Sequence, residues 1–281
     1  MAGDAPRWVE VDAIATGLDA NRLPATGDLA GRELILRCAG DGTVVHCALH
    51  DASRLRWDIV AGPRAGAGND EAYEAVRVAR DVYLVTLVPR GAPRVSVAVA
   101  LDTAARRATA VIGVLPTLAE ARTDLIARMR HGLDLSPVRV EIVHAVVDPR
   151  APDEPVVPHA RTADLVGKRV RYTYGDGGVY EHIYLNERLY TWHCLAGPER
   201  GLADTERCDY LRITPDVVLF SWREKIVPTL GVVLVNTAEM RSTGVLSGID
   251  TETGAPIHFG IGARGELLNV TPQAPAAAAA G

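Results

Sequence analysis

Two small antiparallel β-barrels in tandem, in an all-β chain, are what this sequence predicts, and three observations carry the prediction. Short runs of strand composition, bounded by Gly, Asp, Asn or Pro, recur through most of the 281 residues. The chain repeats itself at long period. A single stretch shows helical spacing instead.

The repeat is the most informative of the three. Thr26-Gly27-Asp28-Leu29-Ala30-Gly31-Arg32 and Thr162-Ala163-Asp164-Leu165-Val166-Gly167-Lys168 share the form T-x-D-L-x-G-[RK], 136 residues apart (167 minus 31). His46 falls on His182 at that offset, and one residue is gained or lost after it. Trp57 to Pro63 then lies on Trp192 to Pro198, Asp81 to Leu84 on Asp216 to Leu219, and Gly113 on Gly248. A period this long marks duplicated domains and not the short units of a solenoid.

Residues 1–20 read as an irregular or partly helical lead-in. In the first copy the strands are expected at 33–38, 44–49, 55–60, 75–79, 82–88, 95–102 and 108–114. The second copy repeats them at 169–174, 179–185, 189–194, 209–213, 217–222, 232–236 and 240–248. The run Arg171 to His193 holds three of these strands, joined by a Gly-rich turn centred on Asp176-Gly177. Seven or eight strands suit a closed barrel with room for one small ligand, and a β-sandwich is the rival.

Between the copies, Leu118, Ala121, Leu125, Ile126 and Met129 recur at helical spacing and predict one amphipathic helix over 117–131. It is expected across a barrel mouth or a domain interface. A further strand follows at 138–147, and the Pro-rich, acidic run 148–158 is the natural linker. The domains expected are therefore 1–150 and 151–272, with 273–281 a low-complexity, disordered tail.

A net charge of −5 argues against a dedicated nucleic-acid binder, and no apolar run is long enough to cross a bilayer. The opening MAGDAPRWVEVD lacks a basic segment followed by an apolar one, so no secretory signal is expected. Four cysteines without C-x-x-C spacing read as reduced thiols, and the expected compartment is the cytoplasm. The eight histidines show no ligand spacing, and no P-loop or G-x-G-x-x-G opens a helix. Neither a metal nor a nucleotide cofactor is expected. The expected partner is a small molecule held in a barrel, with no nucleic acid and no membrane, and a homodimer is compatible with the sequence.

The two copies differ where polar side chains are expected to point inward. Tyr172 and Tyr174 stand at i, i+2 on one strand face, against Leu36 and Cys38 in the first copy. Trp222 and Glu224 share a face of another strand, and Glu224 is matched by Pro89. An interior Glu would have its pKa raised by desolvation, the usual route to a general acid near neutrality. Two phenols beside it would hold substrate oxygens. Tyrosine is equally common as plain strand core, and a strand Glu is often salt-bridged, here to Arg171, Arg223 or Lys225.

The later half resembles the phenolic acid decarboxylases, through Tyr172-Thr173-Tyr174, the Asp176-Gly177 turn, Tyr180-Glu181 and Ser221-Trp222-Arg223-Glu224. That resemblance implies a lipocalin-like (calycin) barrel with Tyr172 and Tyr174 binding substrate and Glu224 donating a proton. An arginine that the family carries after the third strand falls on Leu202, with Arg200 and Arg207 nearby. The whole chain is more similar to the MoaF family, named for molybdenum-cofactor biosynthesis. The carrying residues are Tyr180-Glu181-His182, Thr191 to Gly197, Ala203-Asp204-Thr205 and Trp222 to Thr229.

His193, matched by Asp58, is a candidate assistant in proton transfer, and His182 is a weaker one because it is matched by His46. Tyr180, His182, Trp192, Trp222 and Arg241 complete the expected substrate-binding set. The function expected is cofactor-independent acid/base chemistry of lyase or isomerase type on a carbonyl or aromatic acid inside the second barrel. The alternative is a non-catalytic carrier or accessory protein for a pterin or another hydrophobic metabolite.

Overall fold

A computed structural model describes residues 7–175 and 178–272. The expected Asp176-Gly177 turn and the tail at 273–281 lie outside the described residues. The first copy comprises β1 (Glu33–Cys38), β2 (Val44–Leu49), β3 (Arg54–Ala61), β4 (Gly68–Ala72), β5 (Glu74–Ala79), β6 (Val82–Leu87), β7 (Val95–Asp102), β8 (Arg107–Val114) and β9 (Arg139–Val147). The second comprises β10 (Lys168–Thr173), β11 (Val179–Asn186), β12 (Leu189–Ala196), β13 (Ala203–Thr214), β14 (Val217–Glu224), β15 (Thr229–Asn236), β16 (Arg241–Ile249) and β17 (Pro256–Val270). Among the described residues, three short helices, α1 (Val11–Ala15), α2 (Leu118–Ala121) and α3 (Leu125–Arg130), accompany them. Among the described residues no helix is long and apolar enough to cross a membrane.

The second copy is a closed antiparallel barrel in the order β10 to β17, sealed by β17 against β10. The first copy is a nine-stranded sheet ordered β4-β3-β2-β1-β9-β8-β7-β6-β5. Its two edges, β4 and β5, are consecutive in the chain and separated only by Tyr73. Together they span the same length as the single strand β13. The first copy is thus the same barrel with one strand interrupted. Tyr73 points into its core, and its hydroxyl donates to the Asp51 carbonyl at 2.6 Å.

Three expectations need correction. The helix predicted over 117–131 is two helices, because Asp124 caps a second start by accepting from the Ala127 amide at 2.8 Å. Thr117 and Glu120 form a capping box on the first. α2 sits at the domain junction, with Arg122 donating to the Glu252 carbonyl, whereas Ile126 and Met129 on α3 are exposed.

The long strand β17 was not anticipated, since Gly260, Gly262 and Gly265 weaken its strand signal. The glycines have a packing reason. A Cβ on Gly262 would lie 2.2 Å from the Arg22 Cα, because residues before the first barrel run across this strand. The third correction is one of register. Leu34 pairs with Cys47 and Val170 with His182, so the structural counterpart of His182 is Cys47, not His46. His46 faces outward, 3.5 Å from Glu33. Gly113 likewise corresponds to Ser247, since Ser96 pairs with Gly113 and Leu230 with Ser247.

The barrels join through their outer faces. One apolar cluster contains Val76, Val82, Leu84, Ala98 and Ala100 from the first and Leu211, Val217, Leu219, Val232 and Leu234 from the second. These are corresponding strand positions, so the contact is isologous in the manner of a two-fold dimer. On the strands that meet, β5 to β7 and β13 to β15, inward-facing alternate residues pack in each barrel's own core and outward ones against the other barrel.

Candidate functional site

The second barrel is filled with rings. Tyr172, Tyr184, Tyr190, Tyr210 and Phe220 are fully buried, and Tyr210 stacks on Phe220 at 5.3 Å between centroids. Tyr172 and Tyr184 join hydroxyls at 3.0 Å. The corresponding interior of the first barrel is mostly aliphatic, with Leu34, Leu49, Leu55, Ala75 and Val85.

Above the ring stack, at the β14 C-terminal end, a cavity of about 40 Å³ remains. That volume holds a few waters. Tyr174, Tyr180, His182, Tyr190, Trp192, Glu199, Trp222 and Glu224 line it, together with Ile14, Leu18, Leu246 and Ile261.

Each polar wall group is placed by its strand. Trp222 and Glu224 project from the same face of β14, and the Trp222 indole N–H donates to Glu224 Oε1 at 2.9 Å. Gly231 on β15 makes this rotamer possible, because a Cβ there would lie 2.2 Å from the Trp222 ring. Glu199, on the loop after β12, accepts from the Tyr180 hydroxyl at 3.1 Å.

Burial among apolar neighbours pushes the Glu224 pKa up to about 8 and outweighs the Trp222 hydrogen bond. Glu199 is raised for the same reason. Burial lowers His182 to about 3, which keeps its imidazole neutral. Tyr174 is raised, so its phenol stays protonated. Glu224, His182 and Tyr174 therefore face the cavity as neutral hydrogen-bonding groups at pH 7.

Seven of the nine expected site residues meet in or beside this cavity. Glu224, Tyr174, Tyr180, His182, Trp192 and Trp222 line it. Tyr172 lies one layer deeper, 4.8 Å from the His182 ring. His193 is the first exception: it faces outward on β12, 3.6 Å from Glu181, which Arg169 also holds. Arg241 is the second. It donates to the Asn21 carbonyl at 3.0 Å and secures the N-terminal segment in place of an anion.

Sequence reasoning missed Glu199, although a signal was present. The loop Ala61-Gly62-Pro63-Arg64 matches Ala196-Gly197-Pro198-Glu199, the same kind of copy-specific acid as Glu224. It also missed the cover. Residues 8–22 precede the first barrel in the chain yet lie over the second. The Asn21 amide donates to the Tyr174 carbonyl, the Gly262 amide donates to the Leu18 carbonyl, and Trp8 meets Trp192 edge-on at 5.5 Å. Nothing local in the sequence links these residues to a barrel that starts more than a hundred positions later.

Comparison with known proteins agrees with this architecture. Residues 6–117 match the MoaF N-terminal domain and residues 159–271 the MoaF C-terminal domain. "Protein MoaF" of Klebsiella aerogenes is 34% identical over 267 residues, spanning 94% of this chain and 96% of that protein. A solved chain from Burkholderia vietnamiensis, described as a candidate beta-lactamase, superposes with a TM-score of 0.33 at 14% identity, over 39% of this chain and 100% of its own. That overlap is too weak to bear on fold or function. With both halves matched in order and a relative aligned almost end to end, the chain belongs to the MoaF family.

Proposed function

We propose that the chain is a cofactor-independent enzyme performing acid/base lyase or isomerase chemistry on a small molecule held in the second barrel. The observation that supports this most is the convergence of Glu224 and Glu199 on one aromatic-walled cavity whose counterpart positions in the first barrel are Pro89 and Arg64. A carboxyl with a pKa near 8 is close to the optimum for moving protons at neutral pH. In this reading Glu224 gives or takes the proton at a substrate carbon or oxygen. Tyr174 and Tyr190 donate to substrate oxygens, and Glu199 with Tyr180 fixes the opposite wall.

The test is Glu224→Gln, which keeps the shape and the bond from Trp222 while removing the titratable proton. Purified wild type and variant are incubated with a small-molecule extract, and mass spectrometry follows which compounds are consumed. A compound consumed by the wild type is expected to turn over roughly 10²- to 10⁴-fold more slowly with the variant. Equal rates would remove Glu224 from the chemistry.

The second reading is a carrier, for a pterin of the molybdenum-cofactor pathway or another hydrophobic metabolite. It is favoured by the closed cover of residues 8–22 and by the ring-filled interior, which suit retention as well as conversion. A compound that both proteins bind and neither consumes would select it.

A further inference from the structure

Two polar atoms on side chains that line this cavity have no partner. The Nδ1 of His182 and the Nε1 of Trp192 are buried without a hydrogen bond, in side chains only 5% and 4% exposed. A buried donor or acceptor left unpaired keeps a desolvation penalty that nothing offsets, so two beside one cavity point to a ligand that completes them. The indole N–H can only donate. Its missing partner is an acceptor.

The charges around the cavity restrict that acceptor further. Among the described residues no Lys or Arg lines it. Arg223, on β14 between Trp222 and Glu224, is held by Asp134, and Lys225, just past the strand, is held by Asp204 and Glu206. Arg241 is tied to the Asn21 carbonyl. A substrate carboxylate entering here would lose its hydration beside Glu224 and Glu199 with no counter-charge to offset the loss. A neutral carbonyl or ring nitrogen loses far less and satisfies the Trp192 N–H.

Building on the proposed function, we infer that the natural ligand is an uncharged, planar unsaturated ring compound with a carbonyl or ring-nitrogen acceptor bonded to Trp192 Nε1, and is not a carboxylic acid anion. Its ring lies against Tyr174, Tyr190 and Trp222. The lining side chains, Ile14 and Leu18 of the covering segment among them, must shift to admit it, because a cavity of about 40 Å³ is smaller than any such ring.

Matched probes test this on the full-length protein at pH 7: coumarin, 4-quinolone and 1-tetralone against the same skeletons carrying a carboxylate. Calorimetry measures affinity, and the indole resonances of ¹⁵N-labelled protein report on Trp192, assigned through Trp192→Phe. At least one neutral probe is expected to bind 10-fold or more tightly than its acid and to shift the Trp192 N–H downfield. Trp192→Phe, with an unchanged near-ultraviolet circular dichroism band pattern apart from the lost indole, should weaken that probe roughly 3- to 10-fold and leave the acid unaffected. Tighter binding of the acids, no binding by any neutral probe at millimolar concentration, or equal affinity in Trp192→Phe would each overturn the inference. A preference for acids combined with a turnover defect in Glu224→Gln would sink this inference alone and leave the proposed chemistry standing.

Discussion

The two barrels share strand order, corresponding register and corresponding outer faces, and differ almost wholly in what they enclose. Leu36, Cys38, Cys47 and Leu55 stand where Tyr172, Tyr174, His182 and Tyr190 stand in the second barrel. An isologous contact constrains the outside of both copies equally, while nothing obliges their interiors to agree. Duplication left one mostly aliphatic core and one aromatic core that keeps unpaired polar atoms. The cover makes the same point. Residues 8–22 cross to the second barrel, and Arg22 pairs there with Glu74 of the first. The first barrel therefore contributes to the site by holding the segment that closes it.

The largest effect that bears on this comparison is predicted at the shared face. Leu84 and Leu219 occupy equivalent positions in the inter-barrel cluster, and both are completely buried. Leu84→Ala and Leu219→Ala should each cost about 2–5 kcal/mol in denaturant unfolding. The two values should agree within about 1 kcal/mol, the margin set by local relaxation around each cavity. A cost confined to one of them would show that the two faces are not energetically equivalent, whatever their symmetry in position.

Much of this was readable in the chain alone. The duplicated T-x-D-L-x-G-[RK] segments and the alternation of strand residues suffice for two barrels, because side-chain period and turn chemistry are local properties. The site was half legible for a similar reason: Tyr174 and Glu224 stood out through loss of the repeat. His182 was misjudged because the gap between copies lies in the β1–β2 turn, before His46, and not after it. A slip of one residue reverses the face of a strand, so a matched histidine became a spurious argument for a structural role. Glu199, Trp8 and Leu18 reach the cavity from loops and from a distant segment, which no strand periodicity encodes.

The second effect is a pH dependence confined to the later barrel. The folded protein keeps the Glu224 proton up to about pH 8, whereas an unfolded glutamate releases it near pH 4.3. Between those values the unfolded state holds fewer protons, so stability falls as pH rises and levels off above 8. Glu206 is raised to about 8 as well, mainly by burial and next by the charge of Glu224, so the substitution at 224 eases both. The melting temperature of Glu224→Gln should gain on that of the wild type steadily from pH 5 to pH 8. His182 acts in the opposite sense, costing stability as pH falls from about 6.5 toward 3, but it is common to both proteins and cancels in the difference. A constant difference across the range would mean that Glu224 is solvated and ionised in the fold.

The smallest effect concerns the cover itself. Trp8 meets Trp192 edge to face but is 38% exposed, and α1 is only five residues long. Such a pair contributes about 0.5–1.5 kcal/mol to the closed position. The barrel below it is closed by its own ladder from β10 to β17, so Trp8→Ala should leave the melting temperature within a few degrees of the wild type. What should change is local. Amide exchange between residues 8 and 18 should quicken about 3- to 10-fold, matching the lost contact energy, while the amide of Asn21, bonded to the Tyr174 carbonyl, keeps its protection. If exchange at Asn21 rises equally, residues 8–22 detach as one piece, and the hinge lies beyond Arg22. If it does not, opening is limited to the stretch that carries Ile14 and Leu18, two of the side chains that line the cavity.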